Sequence, residues 1–373
     1  MGKSEVYFTN LRTNGNMNLL NKLERLVKKA GIENINFKDK YLAIKIHFGE
    51  PGNLAYLRPN YSRVIADLVK DNGGKVFLTD CNTLYVGRRK NALEHMDSAY
   101  ENGYNPFTTG CHVIIADGLK GTDEILVPVE NGEYVKEAKI GRAIMDADIF
   151  VSMNHFKGHE ATGFGGALKN IGMGCGSRAG KMEMHSNGKP SVEEEKCVSC
   201  GACKRICAHS AIDFRENKKA HIDHDKCVGC GRCIGVCNFD AISPTWDEAN
   251  DVLNKKIAEY SYAVLNGRPH FHINFVIDIS PNCDCHSEND MPITPDVGIF
   301  ASFDPVALDK ACADAVNKQI VLQGSYLDEQ KSKHNHDYND HFKNTHPETD
   351  WEVCIDHAVK LGLGNKEYKL IEV

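Results

Sequence analysis

Cysteine spacing constrains this chain more than any other feature. Two runs, CVSCGACKRIC from Cys197 and CVGCGRCIGVC from Cys227, share the pattern C-x2-C-x2-C-x3-C at an offset of 30 residues (227 − 197). Four thiolates hold a cubic 4Fe–4S cluster, and three closely spaced cysteines on one turning loop reach three of its irons. The fourth, four positions on, points away and serves a second cluster. The spacing therefore assigns Cys197, Cys200, Cys203 and Cys237 to one cluster, and Cys227, Cys230, Cys233 and Cys207 to the other. Structural zinc is the competing reading, but it usually takes two separated C-x2-C pairs, and two equal four-cysteine runs fit that poorly. Gly201 and Gly231 follow the second cysteine of each run, where backbone N–H groups must approach the cluster sulfides.

This is the ligand run of a two-cluster bacterial-type ferredoxin. The proline that usually follows the fourth cysteine is replaced by Ala208 and Asn238, which leaves the ligands intact and the reduction potentials open. Such a module needs about 55 residues, so 190–245 is assigned to it, and most of the 373 residues do something else. A net charge of −7 offers no footprint for nucleic acid. No apolar run approaches the ~20 residues of a membrane span. The opening MGKSEVYFTN carries no signal-peptide apolar region, and Val6 breaks a myristoylation motif at Gly2, so a cytoplasmic protein is expected. Fifteen cysteines there read as metal ligands or buried thiols, not disulfides. Cys312 and Cys354 sit on apolar helical stripes and Cys111 precedes a strand, so all three are expected in the core.

Outside the cysteine runs, β-like stretches alternate with amphipathic helical ones. EVYFTN, YLAIKIHF, KVFLTD, HVIIADG, EILVPV, DIFVSMNHF, FHINFVIDIS, DVGIFAS and YKLIEV read as strands. The alternation predicts an α/β fold with a mostly parallel sheet and flanking helices, its halves 1–189 and 246–373 interrupted by the inserted ferredoxin-like module. Chemistry in such sheets gathers at the carboxyl ends of strands. His47, Asp80, Asp117 and His155 fall there, although each alone reads more simply as a satisfied structural side chain.

The stretch HFKGHEATGFGGALKNIGMGCGSRAGK (155–181) is dense in glycine and carries Lys157, His159, Lys169, Arg178, Lys181 and Cys175. It is neither a phosphate-binding Walker loop, because Cys175 occupies the first glycine position, nor a dinucleotide fingerprint, because Leu168 occupies the third. It reads as a loop for close backbone approach to an anion or a cluster. Cys283 and Cys285 follow a strand terminus. With Cys175 they are candidate ligands of a third iron–sulfur cluster with one open iron, or of a single metal ion. Lys157, His159, Lys169 and Arg178 are candidates to orient a small anionic substrate, and Asp80, His47 or His155 to transfer protons. His334, His336, His341 and His346 in HNHDYNDHFKNTH read as a polar loop in preference to a metal site.

Together IKIHFGEPGN, FLTDCNTLY, the 155–181 stretch, both cysteine runs and CDC with PDVGIFASFDPVALDKA resemble the iron–sulfur centre proteins of the family called domain of unknown function 362. The family commonly has Thr after the Asp of FLTD, where this chain has Cys81. The resemblance implies an α/β domain carrying an inserted two-cluster ferredoxin, mostly in anaerobes, and supplies no reaction. The leading expectation is an iron–sulfur oxidoreductase taking electrons from a redox partner (a ferredoxin, a flavodoxin-like protein or a reductase) to a site where a small anionic substrate is reduced or a sulfur group is transferred. An electron-transport carrier without chemistry of its own, and a metal or cluster delivery protein, are the alternatives.

Overall fold

A computed structural model describes residues 2–85, 87–185, 188–245, 248–333 and 338–373. Its central sheet holds β1 (Ser4–Asn10), β2 (Tyr41–Lys45), β3 (Lys75–Asp80), β4 (His112–Ile115), β5 (Ile149–His155), β6 (His270–Val276), β7 (Gly298–Ser302) and β8 (Tyr368–Glu372). Their order across the sheet is β8-β1-β7-β6-β5-β2-β3-β4. Five neighbouring pairs run parallel, and the two antiparallel ones both involve β7. The expected α/β class and mostly parallel sheet are therefore what the chain forms. EILVPV departs from expectation. Its strand, Glu124–Pro128, pairs with Glu137–Gly141 in a separate ribbon, where its side chains stay half-exposed.

The central strands are buried on both faces, as parallel strands covered by crossover helices must be. The two-residue period of a strand divides their side chains between two cores. Leu42, Ile44, Val151 and Met153 share one core with residues of α1 (Leu19–Lys29) and α2 (Pro59–Asp71). Ala43, Phe77, Phe150 and Phe300 share the other with α3 (Ala167–Cys175), α4 (Asn250–Leu265) and α5 (Pro305–Asn317). Cys312 and Cys354 lie in the second core and Cys111 in the first, as expected.

The glycine-rich stretch is not the open loop its composition suggested. It forms a ribbon (Lys157–His159 with Gly163–Gly165), then α3, then a helix over Arg178–His185. Its glycines serve close packing. A Cβ on Gly172 would stand 2.2 Å from the Ile257 carbonyl of α4, and one on Gly158 would stand 2.2 Å from the Pro281 carbonyl. Gly166 gives α3 no side-chain cap, so buried Asp309 of α5 does the work. It accepts from the backbone N–H of Ala167 (2.7 Å) and Leu168 (2.9 Å).

The cysteine-rich segment has a core of its own, built from Cys197, Cys203, Cys233, Ile212, Ile234 and Ile242 with Leu84 and Met182 of the larger unit. Its incoming strand Pro190–Val192 pairs antiparallel with its outgoing strand Ile242–Pro244. Both ends thus leave at one place, and the host sheet is not spread by the interruption. The 30-residue repeat extends to the backbone. Ser199 and Gly229, Gly201 and Gly231, and Ser210 and Asp240 all take left-handed conformations. Among the described residues no helix is long and apolar enough to cross a membrane.

Candidate functional site

Parallel strands β2, β3, β5 and β6 lie near one another in the sheet and end on the same side. The residues just beyond those ends meet there. His47 follows β2, Asp80 ends β3, His155 ends β5, and the loop after β6 brings Cys283 and Cys285. The ligand atoms of His47, Cys283 and Cys285 lie within 4.8 Å of one another. The two sulfurs stand 2.8 Å apart, Cys285 Sγ is 3.6 Å from His47 Nε2, and Lys169 Nζ donates to Cys283 Sγ at 3.1 Å.

The intervening residue fixes this arrangement. Asp284 faces the opposite way from the thiols. There it meets His155 Nδ1 at 2.9 Å and Lys157 Nζ at 3.4 Å. His155 also points Nε2 at the Ile277 carbonyl, 2.8 Å away. Burial works against the Asp284 charge, yet His155 and Lys157 hold its pKa below the ordinary carboxylate value. With Asp284 pinned, Cys283 and Cys285 are directed together toward Lys169 and His47.

Cys283 is 1% exposed. The hydrogen bond from Cys285 leads in lowering its pKa well below that of an ordinary thiol; burial opposes, and Lys169 and Lys157 add to the lowering. The same shared proton, together with burial, pushes Cys285 up. Burial opposes the Lys169 charge, but the Cys283 and Cys285 sulfurs hold its pKa above the usual lysine value. The two thiols therefore share a proton, with Cys283 the more acidic member.

Behind the thiols lies a buried ionic layer. Arg89 donates to Glu50 at 2.7 Å and places Nη1 2.9 Å from His47 Nε2. Asp80 pairs with Lys45 at 3.0 Å and lies 3.8 Å from Arg89. Asp80, expected at the reacting centre, instead anchors these cations one layer below it. His159 keeps its place in the site. Its Nδ1 accepts from the N–H groups of Ala161 and Thr162, and its ring lines the cavity beside Lys169. Arg178 does not join them; it packs against Gly231 and Gly235 of the second cysteine run.

Cys175 also lies apart from the pair. It stands six residues beyond Lys169 on α3 (175 − 169), about 9 Å along the helix axis. Its surroundings are Cys81, whose thiol donates to the Cys175 carbonyl at 3.3 Å, and Lys45. Burial pushes the Cys175 thiol up to about 12. Cys81 is likewise buried away from the pair and adds no thiol to it. His341 and His346 each direct Nε2 to a backbone carbonyl, of Gln319 and Pro281 respectively, while His334 and His336 lie outside the described residues.

The His47 trio fits a metal ion poorly. A metal-bound imidazole gives its second N–H to an acceptor. Here both ring nitrogens of His47 face donors, Nδ1 the Gly49 backbone N–H at 3.1 Å and Nε2 the Arg89 guanidinium at 2.9 Å, so Nδ1 lacks the acceptor that ligation through Nε2 requires. Two thiolates on one tetrahedral ion with ~2.3 Å bonds stand about 3.8 Å apart, a full ångström beyond the 2.8 Å observed.

A cavity of about 680 Å³ opens onto Cys285. Its walls carry both signs of charge, with Lys169 and Lys181 facing Glu50, Glu160, Glu248 and Glu288. Leu84 lines this cavity and also belongs to the core of the cysteine-rich segment. The next residue, Tyr85, lies against Cys285, and burial followed by the electrostatics of the thiol pair raises its pKa well above the tyrosine value. Two consecutive residues thus span from the cysteine runs to the thiol pair.

In the runs themselves, Cys197, Cys200, Cys203 and Cys237 line one small cavity. Cys207 lies within electrostatic reach of Cys227, beside Cys230. Among the described residues no disulfide joins any cysteine. Cys207 and Cys237 each accept a backbone N–H at 3.4 Å, from Ala211 and Ala241. Crossed sets of four unbridged thiols, held by N–H donors, suit a cubic cluster.

The structure brings His47, Lys157, His159, Lys169, Cys283 and Cys285, all singled out in the sequence, together with Arg89, Glu50, Tyr85 and Asp284, which were not. Lys45 carried the clearest unused signal, a lysine inside an otherwise apolar strand, YLAIK, where burial demands a partner.

Comparisons with known proteins show a family and leave the chemistry open. Eleven solved chains match. One is the lactate racemase apoprotein from Thermoanaerobacterium thermosaccharolyticum, at 14% identity and a TM-score of 0.42, over 85% of this chain and 58% of that one. Another is a structural-genomics protein from Thermotoga maritima, at 13% identity and a TM-score of 0.41, over 80% and 58%. The chain thus spans less than two thirds of either protein's length. No curated protein matches. The family model described as "Domain of unknown function (DUF362)" matches residues 42–314, and by that match the chain belongs to this family.

Proposed function

We propose that the chain is an iron–sulfur redox protein in which two 4Fe–4S clusters relay electrons to the Cys283–Cys285 pair, where a small molecule is reduced. The observation that carries this reading is the crossing of the cysteine sets, with Cys237 of the second run lining the same small cavity as Cys197, Cys200 and Cys203 of the first. When bound, such clusters supply single electrons at low potential. Cys197, Cys200, Cys203 and Cys237 would hold one, and Cys227, Cys230, Cys233 and Cys207 the other. Leu84 and Tyr85 form the contact between cluster segment and thiol pair. Lys169 favours the thiolate of Cys283. The electrons come from a redox partner protein. An electron carrier without chemistry is disfavoured, because it has no use for a buried thiolate at a cavity of this size.

Iron and acid-labile sulfide counts on anaerobically purified protein test the reading. About 8 of each per chain are expected, falling to about 4 when Cys200→Ser removes one ligand set. A protein that binds zinc and no sulfide overturns it.

A further inference from the structure

We infer that Cys283 and Cys285 form a redox-active dithiol that reduces small-molecule disulfides and is itself re-reduced by the two clusters. The inference rests on the relay reading for its electrons. Four observations carry the thiol chemistry. The two sulfurs are in direct contact at 2.8 Å, and Asp284 is turned away and pinned by His155 and Lys157, so the pair is held ready to close. Lys169 stabilises a thiolate on the enclosed member, Cys283, at 3.1 Å. Cys285 lines the cavity and so meets substrate first. His47 Nε2 lies 3.6 Å from Cys285 Sγ and faces Arg89 Nη1 at 2.9 Å, while Nδ1 faces Gly49 N–H, so the ring lacks the acceptor a metal-ligating imidazole needs and the thiols stay free of metal.

The geometry also sets the substrate class. Cys285, the sulfur that meets substrate, sits half-buried in the cavity wall, a setting that favours a small molecule over a disulfide on the surface of a folded protein. A cavity of about 680 Å³ admits a small molecule.

The steps balance. Cys285 attacks one sulfur of a disulfide RSSR as its proton passes to Cys283. The S–S bond of RSSR breaks, a mixed disulfide forms on Cys285, and RS⁻ leaves. That thiolate takes the proton from Cys283 and departs as RSH. The Cys283 thiolate, held by Lys169, then attacks the Cys285 sulfur and expels the second RS⁻, leaving a Cys283–Cys285 disulfide. Two electrons, one from each reduced cluster, and one proton restore the thiolate–thiol pair. Two one-electron centres thus match one two-electron acceptor.

The test uses cluster-loaded protein under anaerobic conditions with bis(2-hydroxyethyl) disulfide as the probe. Maleimide tags on the peptide carrying 283 and 285 are counted by mass spectrometry. Two tags are expected at the start, none after the disulfide, and two again after a photochemical one-electron donor reduces the clusters. The Cys200→Ser variant, short of one cluster, should oxidise normally and recover its tags at least tenfold more slowly. Cys283→Ser should trap the mixed disulfide on Cys285. Two tags throughout, in protein with full iron and reducible clusters, overturn the dithiol and leave the relay reading standing. A pair that oxidises but stays oxidised while the clusters are reduced overturns the relay reading, and the electron route drawn here with it.

Discussion

At the scale of single residues, the site works by assigning one proton between two sulfurs. Lys169 lies 3.1 Å from Cys283, and an opposite charge at that range shifts a pKa by about 1–3 units. Lys169→Met therefore raises the Cys283 pKa, and the pH midpoint of iodoacetamide labelling of the pair should move up by at least about 1 unit. A midpoint that stays in place would remove Lys169 from the account. Arg178 acts on the other centre. It is fully buried, and its Nε and Nη1 find no hydrogen-bond partner among the described residues. It lies within electrostatic reach of Cys233 and Cys230. Positive charge there favours an added electron, so Arg178→Met should make one of the two cluster potentials more negative and leave the other in place, as read by spectroscopic redox titration. The candidate thiols and lysines were legible in the sequence because glycine-rich and C-x-C surroundings are unusual. Arg89 and Glu50 were not, since a charged residue in a polar loop looks the same whether it is solvated or buried in an ion pair.

At the scale of elements, the site depends on α3, because that helix carries Lys169. Its start is capped from another element by Asp309, and its middle meets α4 through Gly172. Asp309→Ala leaves two buried N–H groups unpaired and should cost about 2–4 kcal/mol. Gly172→Ala sets a methyl against a backbone carbonyl that cannot rotate away, at about 1–3 kcal/mol. Both should lower the thermal midpoint of the cluster-loaded protein, and an unchanged Gly172→Ala would mean that α3 can slide on α4. The glycine-rich stretch read as a loop because glycine disfavours helix locally. Tertiary packing overrode that preference, since only a residue without a side chain allows α3 to approach α4 this closely.

At the scale of the whole molecule, buried ionisable groups set the response to acid. Burial lowers His95 and His185 to about 3 and His270 to about 4. Their folded pKa values lie below the unfolded value of about 6.5, so the unfolded chain binds more protons and stability falls as pH drops below that value. Burial raises Asp117 and Asp309 to about 6, which gives the opposite slope between about 6 and 4. Burial also lowers His47 and His272 well below the histidine value, so the imidazoles outweigh the two carboxyls and stability falls through that window. Below it, Asp80 and Asp284, whose folded pKa values are depressed, add further loss. Thermal midpoints measured from pH 7 to 4 should fall, and His95→Leu should flatten the decline; a flat wild-type profile would contradict this balance.

The sequence alone determined the α/β class, the strand alternation and the two cysteine runs, because each is written in local spacing: a two-residue period, a helical stripe, a thiol repeat of 30 residues. Only the tertiary structure decided what those pieces do together. Strand order brought the ends of β2, β5 and β6 to one place, which joined His47 to Cys283 and Cys285 across more than 200 residues and left Cys175 at the far end of α3. It also set Gly49 N–H and the Arg89 guanidinium against the two ring nitrogens of His47, an arrangement that suits a metal ligand poorly. Contacts of that kind depend on which distant strands become neighbours, and no local pattern encodes them.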